Sequence, residues 1–365
     1  MSKAPPHPTL PTDARVCLLQ PAFLGDVVLS TAVLESWHRQ YPQHRLSVLV
    51  RSQAAGFFED HPFIDQVYAW DKQGAGKYVR LCGLAARIRK ARPDVVINLH
   101  RYASMALIAR ATSTKVQTGF SGATRWHPTG AQTVAHALGD GRHETERNHS
   151  QVASFLGAWD ASTDRPRLHL SSRHTADAGQ WPAGALILAP SSVWATKRWP
   201  EEHWQSVADG WAERMPHREV ILMGAAGDRS LLQRIASGCR SATPRIAAGE
   251  LNLMGAAALM AQSAVVVSND SAPLHMAGAV DTPAVGVFCS TTPRLGFGVL
   301  PGMLNQGRAL NVEIAEADLA CKPCGPHGHA QCPLGHFKCG QDLVPKKVWE
   351  AAVGLSSLPS GSRTL

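Results

Sequence analysis

The sequence is poor in the features that would place it in a membrane, on nucleic acid or around a common cofactor. No apolar run reaches the ~18 residues that a membrane-crossing helix needs, and the proline-rich start, 1–11, lacks the apolar centre of a signal peptide. The expected compartment is therefore the cytoplasm. Charged residues make up only 18% of the chain and do not form a long Lys/Arg block. RNA-binding aromatic motifs and zinc-finger repeats are missing as well, so nucleic acid is not an expected partner. The dinucleotide fingerprint G-x-G-x-x-G and the P-loop are absent, which argues against NAD, FAD and Walker-type nucleotide binding. No D-x-D pair is present, so a divalent-metal clamp on a nucleotide diphosphate has no obvious ligands. A diphosphate would have to be neutralised by cationic side chains and helix N-termini.

What the chain has is 365 residues, 44% of them hydrophobic, and a formal charge of +8. That length suits two domains with separate cores. The positive balance points to an acidic partner, a phosphorylated molecule or an anionic membrane surface. Arg173 and the group Arg87, Arg89, Lys90 and Arg92 read as solvated surface.

Strand-like runs alternate with helical patterns throughout. Strands are expected at 16–19, 46–50, 66–70 and 94–98, with a helix from about 27 to 41 stopped by Tyr41-Pro42. Residues 118–142 read as a loop and 144–156 as a helix. The segment 160–184, with Pro166 and Pro182, reads as an interdomain linker. Strands follow at 185–188, 219–223, 264–267 and 282–288, with helices after Pro200, at 229–237 and at 252–262. Val, Ile and Leu runs of this kind, spaced by helices, predict parallel sheets covered on both faces. The expected architecture is α/β: two Rossmann-like doubly wound domains facing a central cleft.

In such sheets the loops at the carboxyl ends of strands line the ligand site. Three of them carry chemistry. Ser268-Asn269-Asp270-Ser271-Ala272 leads into a helix whose free N–H groups suit an anion. It reads equally as an Asx turn and cap, with His275 one turn on as a packing residue. Lys197 and Arg198, beside Ser191, Ser192 and Thr196, read as a phosphate cradle or as a solvated cation pair before a helix. Gly25-Asp26 follows the first strand, and Asp26 is either a helix cap or a general base aimed at a substrate hydroxyl.

Cys17, Cys82, Cys239 and Cys289 are isolated. Cys321, Cys324, Cys332 and Cys339 cluster as C-x2-C-x7-C-x6-C with His327, His329 and His336 among them. Free thiols or a structural zinc are the readings for that cluster, and a catalytic metal is not expected.

Taken together, Phe23-Leu24-Gly25-Asp26-Val27-Val28-Leu29-Ser30, Trp194-Ala195-Thr196-Lys197-Arg198-Trp199-Pro200 and Ser268-Asn269-Asp270-Ser271-Ala272-Pro273-Leu274-His275 resemble the lipopolysaccharide heptosyltransferases of glycosyltransferase family 9. The resemblance runs from about Arg15 to Trp349, and the K-R-W-P and S-N-D-S forms look more like the second heptosyltransferase branch than the first. It implies a GT-B fold and transfer of heptose from ADP-heptose with inversion and no metal cofactor. The implied acceptor is Kdo-bearing lipid A, probed at the inner leaflet of the inner membrane by peripheral contact. Asp26 matches the family's general base, and Lys197 the residue on the donor diphosphate, with Ser192 and Thr196 as neighbours. Asn269, Asp270, Ser271, Ala272 and His275 match the pyrophosphate loop and helix start. Gly25 and Arg125 fall on the acceptor side. Ala272 and Ser191 stand where glycine is common, and Asp228 substitutes for a ribose-contacting acid near Ala226.

The implied organisation is a tail at 1–14, an acceptor domain at 15–170, a nucleotide-sugar domain at 171–345 and a helix and tail at 346–365. Two other functions fit the same residues: transfer to a protein or another glycan, and a non-catalytic nucleotide-sugar or metal-binding module.

Overall fold

The structure, a computed structural model, describes residues 9–126 and 131–357, without the side chains of 123–125. The chain divides into two compact units, 1–137 with 144–169, and 138–143 with 170–365.

The first unit runs β1 (Arg15–Leu19), α1 (Leu24–Gln40), β2 (Arg45–Arg51), β3 (Ile64–Trp70), α2 (Lys77–Ala91), β4 (Val95–Asn98), α3 (Ala103–Ala111), β5 (Val116–Phe120), β6 (Gln132–Val134), α4 (Glu144–Ser150) and α5 (Ala153–Leu156). The second runs α6 (Ser172–Ala178), β7 (Leu186–Ala189), α7 (Glu201–Arg214), β8 (Val220–Gly224), α8 (Arg229–Gly238), β9 (Arg245–Ala248), α9 (Leu253–Gln262), β10 (Val265–Asn269), α10 (Ala272–Ala279), β11 (Ala284–Phe288), α11 (Pro301–Asn305), β12 (Ala309–Glu313), α12 (Lys338–Gln341) and α13 (Pro345–Ser356).

Among the described residues each unit holds one parallel sheet, ordered β3-β2-β1-β4-β5-β6 in the first and β12-β11-β10-β7-β8-β9 in the second. Both orders are the doubly wound arrangement, which reverses direction beside its first strand. The reversal lies between β1 and β4 in the first unit and between β7 and β10 in the second. The central strands are buried along their whole length, as Val95–Asn98, Leu186–Ala189 and Val265–Asn269 show. Helices cover both faces of such sheets, so these strands need no polar alternation.

Packing in the second unit centres on tryptophan. Trp204, Val207, Ala208 and Trp211 fall at i, i+3, i+4 and i+7 on α7 and are all fully buried. A large apolar side chain such as Val207 contributes roughly 1.5–3 kcal/mol by leaving water, and the methyl of Ala208 less. α13 packs against α7, with the Trp349 ring over Gly210 so closely that a Cβ there would stand 2.8 Å from it.

Three segments differ from their sequence reading. Residues 118–142, read as loop, contain most of β5 and all of β6, because Thr118, Gly119 and Phe120 pair in parallel with Gln132, Thr133 and Val134. Their polar and glycine-rich composition hides the strand pattern. The segment 160–184 is no bare linker, since α6 forms there and buries His174 and Ala178. The helix expected at 144–156 is two short ones, interrupted around Gln151 and Val152.

Candidate active site

Asp26 lies in the first turn of α1, one short loop beyond β1. α1 starts at Leu24, earlier than its apolar pattern suggests, so Asp26 is the third helical residue. Its carboxylate accepts the Phe23 backbone N–H at 3.2 Å, which is the helix-capping role. The same group is only partly shielded from solvent yet densely surrounded. Desolvation, and next the negative charge of Glu144, push its pKa up to about 7; the Phe23 N–H and Arg101 pull the other way. The carboxylate that caps α1 therefore also carries a pKa suited to proton transfer near neutral pH.

Sequence reading missed what surrounds it. Arg51 ends β2, Lys72 follows β3, and His100 and Arg101 follow β4, so all four leave carboxyl ends of neighbouring strands. Arg51 is close enough to Asp26 for their charges to interact, and its Nε donates to the Pro21 carbonyl at 2.8 Å. Burial, with Lys72, Arg51 and Arg101 nearby, presses His100 down to about 4, and its buried Nδ1 has no hydrogen-bond partner. Only His100 and Arg101 are adjacent, and Arg51 and Lys72 lie 21 residues apart with His100 a further 28 on, so no local motif announces the group; strand ends are the one usable signal. Gly25 sits beside Asp26 in α1. Arg125 belongs to the turn 121–126, and its side chain lies outside the described residues.

Behind Asp26 lies a buried polar cluster. Glu144 is 3% exposed and Arg147 is fully buried; Arg147 Nε donates to Glu144 Oε2 at 2.9 Å, and His136 Nε2 lies 3.2 Å from both carboxylate oxygens. Although burial alone would raise Glu144, the hydrogen bond and charge of His136 and those of Arg147 hold it below the usual carboxylate value. Glu144 thus stays ionised and helps keep Asp26 basic.

In the second unit the loops after β7 and β10 meet at the strand reversal. Lys197 Nζ lies 2.6 Å from Asp270 Oδ2, and the Thr291 hydroxyl donates to that same oxygen at 2.7 Å. Asp270 therefore orients the lysine; its own charge would repel a phosphate. Asn269 is fully buried and clamps the two loops, accepting the Trp199 N–H through Oδ1 at 3.3 Å and donating through Nδ2 to the Pro190 carbonyl at 2.6 Å. Ser271 is the residue before α10, and Ala272 and Pro273 open that helix. His275 is buried within it. The Ser192 carbonyl accepts Arg198 Nε at 2.6 Å, while the buried hydroxyl of Ser191 has no partner. Asp228 caps the turn after β8 by accepting the Ala225 N–H at 2.9 Å. It lines a cavity of about 410 Å³ together with Pro190, Arg198, Trp199 and Gly227.

The cysteine-rich segment buttresses the Lys197 loop, a relation the sequence did not reveal. Thr196 and His329 are joined through their backbones and the threonine hydroxyl: the Thr196 N–H donates to the His329 carbonyl at 3.1 Å, the Thr196 hydroxyl lies 3.3 Å from that carbonyl, and the His329 N–H donates to Thr196 Oγ1 at 2.8 Å. Gly328, at φ +76°, comes so near that a Cβ would stand 2.8 Å from Thr196 Oγ1 and 3.0 Å from Ser290 Oγ. The buried Lys322 ammonium donates to Glu313 Oε2 at 2.7 Å and to the carbonyls of Ile314 and Phe288, anchoring the segment to β11 and β12. Cys321, Cys324, Cys332 and Cys339 line one small cavity with His336, and Cys321 Sγ lies 3.9 Å from His336 Nε2. Backbone N–H groups of residues 334–337 point at the Cys332 sulfur and hold its thiol below the usual value against its burial. That nest suits a thiolate, although no three of these ligand groups come within 4.8 Å of one another among the described residues. No helix among them is long and apolar enough to cross a membrane.

The first unit thus holds a carboxylate of raised pKa beside its strand reversal, and the second a lysine oriented by Asp270 near the unpartnered Ser191 hydroxyl beside its own. Comparison with known proteins identifies the family. Residues 82–313 match the model of glycosyltransferase family 9 (heptosyltransferase). The chain is 26% identical to lipopolysaccharide heptosyltransferase 3 of Escherichia coli K12 over 279 residues, covering 74% of this chain and 80% of that protein. It is 25% identical to lipopolysaccharide heptosyltransferase 1 of Pseudomonas aeruginosa over 335 residues, 85% and 86% of the two chains. The fold overlays the crystal structure of a family 9 glycosyl transferase from Veillonella parvula with a TM-score of 0.81, at 22% identity, over 96% of this chain and 99% of that one. The two sheets are the two Rossmann-like domains of the GT-B fold, and this chain belongs to glycosyltransferase family 9, the heptosyltransferases.

Proposed function

We propose that this enzyme moves heptose from ADP-heptose to heptosyl-Kdo2-lipid A, the reaction of the second-heptosyltransferase branch, with inversion and without a catalytic metal. The carrying observation is Asp26, a partly accessible carboxylate in the first turn of α1 whose pKa is pushed up to about 7. A base of that strength takes a hydroxyl proton at neutral pH. The acceptor oxygen then attacks the anomeric carbon, and the bond to ADP breaks with its electron pair leaving on the diphosphate. Lys197, held by Asp270, offsets the charge that develops there. Ser192, Ser271 and the Ala272 N–H at the start of α10 are the donors for the same leaving group, since Pro273 has no N–H and that of Leu274 is bonded to the Ser271 carbonyl at 3.1 Å, with Asp228 toward the ribose.

In this reading the first unit binds the acceptor and the second the donor. Arg51, Lys72 and Arg101 supply cations for the acidic sugars and phosphates of a lipid A acceptor. Such an acceptor places the enzyme in the cytoplasm, in peripheral contact with the inner leaflet. A structural zinc at the four cysteines would hold residues 320–340 against the Lys197 loop, outside the chemistry. Incubation of the purified chain with ADP-heptose and heptosyl-Kdo2-lipid A tests the proposal: one added heptose by mass spectrometry is expected. An intact, donor-binding protein that makes no product would assign the chain another acceptor.

A further inference from the structure

The first unit carries a second group of chemically capable side chains that glycosyl transfer does not use. Glu35 lies on α1, His61 in the turn ahead of β3, and His169 at the last residue of the unit. One ligand atom from each, a carboxylate oxygen and two imidazole nitrogens, comes within 4.8 Å of the others, and all three residues are partly exposed. Among the described residues this is the group that meets that spacing.

Two further observations separate it from an ordinary surface ion pair. Glu35 Oε1 and His169 Nε2 lie 2.8 Å apart, which accounts for two members. The third is unexplained: both ring nitrogens of His61 are buried and neither has a hydrogen-bond partner. Its ring stands edge-on to His169 at 4.6 Å and to Phe63 at 4.5 Å, so packing aims it at the pair. His38, one turn beyond Glu35 on α1, stacks on the other side of Phe63 at 4.0 Å, and its buried Nδ1 is likewise unpartnered. Three imidazoles packed around Phe63 beside one carboxylate leave buried ring nitrogens without partners, and a cation satisfies their lone pairs.

We propose that Glu35, His61 and His169 bind a divalent transition metal ion of the zinc class. Two imidazoles and a carboxylate are a donor set that zinc accepts, with a water in the fourth position. At metal–ligand bonds of about 2.1 Å, ligand atoms of a tetrahedral site stand roughly 3.4 Å apart, so short side-chain rotations close the present arrangement. The ion ties together three pieces of chain that are far apart in sequence: the helix that carries Asp26, the turn into β3 and the end of the unit. Its role is structural, since Asp26 lies nine residues, about two and a half helical turns, up α1 from Glu35.

The test must separate this site from the cysteines. The full-length chain, stripped with chelator, is loaded with Zn²⁺ or Co²⁺, desalted and assayed for bound metal beside His61→Gln and Glu35→Gln. Wild type is expected to hold one equivalent more than either variant. The Co²⁺ difference spectrum is expected to show visible d–d bands without thiolate charge transfer, and zinc is expected to raise Tm more in wild type than in the variants. If His61→Gln fails to fold, Glu35→Gln decides. Equal metal content in wild type and the folded variants overturns the proposal, as does a difference spectrum carrying a thiolate band.

Discussion

Lys197 Nζ and Asp270 Oδ2 stand 2.6 Å apart with side chains only 13% and 8% exposed, and the Thr291 hydroxyl bonds the same carboxylate oxygen. A cation held this way is oriented before any ligand arrives, which is what stabilising a departing diphosphate requires. Lys197→Met should lower kcat/KM for the donor by about 10²–10³, the usual effect of removing one preorganised group on a developing charge. Steady-state kinetics at saturating acceptor measure it, and a loss below threefold would leave the lysine outside the donor site.

The raised pKa of Asp26 gives two linked expectations. The rate should fall on the acid side through an ionisation near pH 7, because the base acts only when deprotonated. For stability the sign runs the other way from a salt-bridged acid: the folded state holds the proton more tightly than the unfolded one between about pH 4 and 7. Stability therefore declines as pH rises through that window and levels off above it. Asp26→Asn should raise stability at pH 8 by about 1–3 kcal/mol, after discounting for solvent reaching the group, and change it little at pH 4. Urea unfolding at the two pH values reads the difference; equal effects at both would contradict the shift.

Glu144 sets part of that shift and also pairs with a fully buried arginine. Glu144→Gln removes the carboxylate charge while Arg147 stays buried, so a loss of about 3–5 kcal/mol in unfolding free energy is expected. In protein that remains folded at low temperature, the acid limb of the rate profile should move to lower pH. Unchanged stability would mean that the neutral amide serves Arg147 as well.

Gly328 connects the cysteine segment to the site. Alanine there meets both a positive φ of 76° and a contact of 2.8 Å with Thr196 Oγ1. Strain of this kind is of order 1–3 kcal/mol. Gly328→Ala should raise KM for the donor, by displacing the Thr196–Lys197 turn, and lower Tm together. Donor KM unchanged at reduced Tm would confine the segment to a purely structural role.

The order of motifs made much of this legible. Strands rich in Val, Ile and Leu announced two parallel sheets; Asp26 lies in the first turn of the helix after β1, and the loops after β7 and β10 carry Lys197 and Asp270. What those side chains do once folded was not legible. Asn269 reads as an anion-loop residue, but its side-chain amide is engaged at both ends, between Pro190 and Trp199. Arg51, Lys72, His100 and Arg101 read as scattered charge, because only the strand order brings them to neighbouring ends. β6 escaped notice because its three half-buried residues, Gln132, Thr133 and Val134, offer little apolar pattern. The contacts of Thr196 with His329 join positions 133 residues apart, and no spacing rule anticipates them.

The central claim, that Asp26 takes the acceptor proton while the second unit holds the donor, is tested most directly by Asp26→Asn. ADP-heptose binding by calorimetry is measured beside single-turnover transfer to heptosyl-Kdo2-lipid A. The account expects a donor Kd within about twofold of wild type, and a transfer rate lower by at least the ~10²–10⁴ that general-base catalysis contributes. Transfer at the wild-type rate with intact donor binding would contradict it.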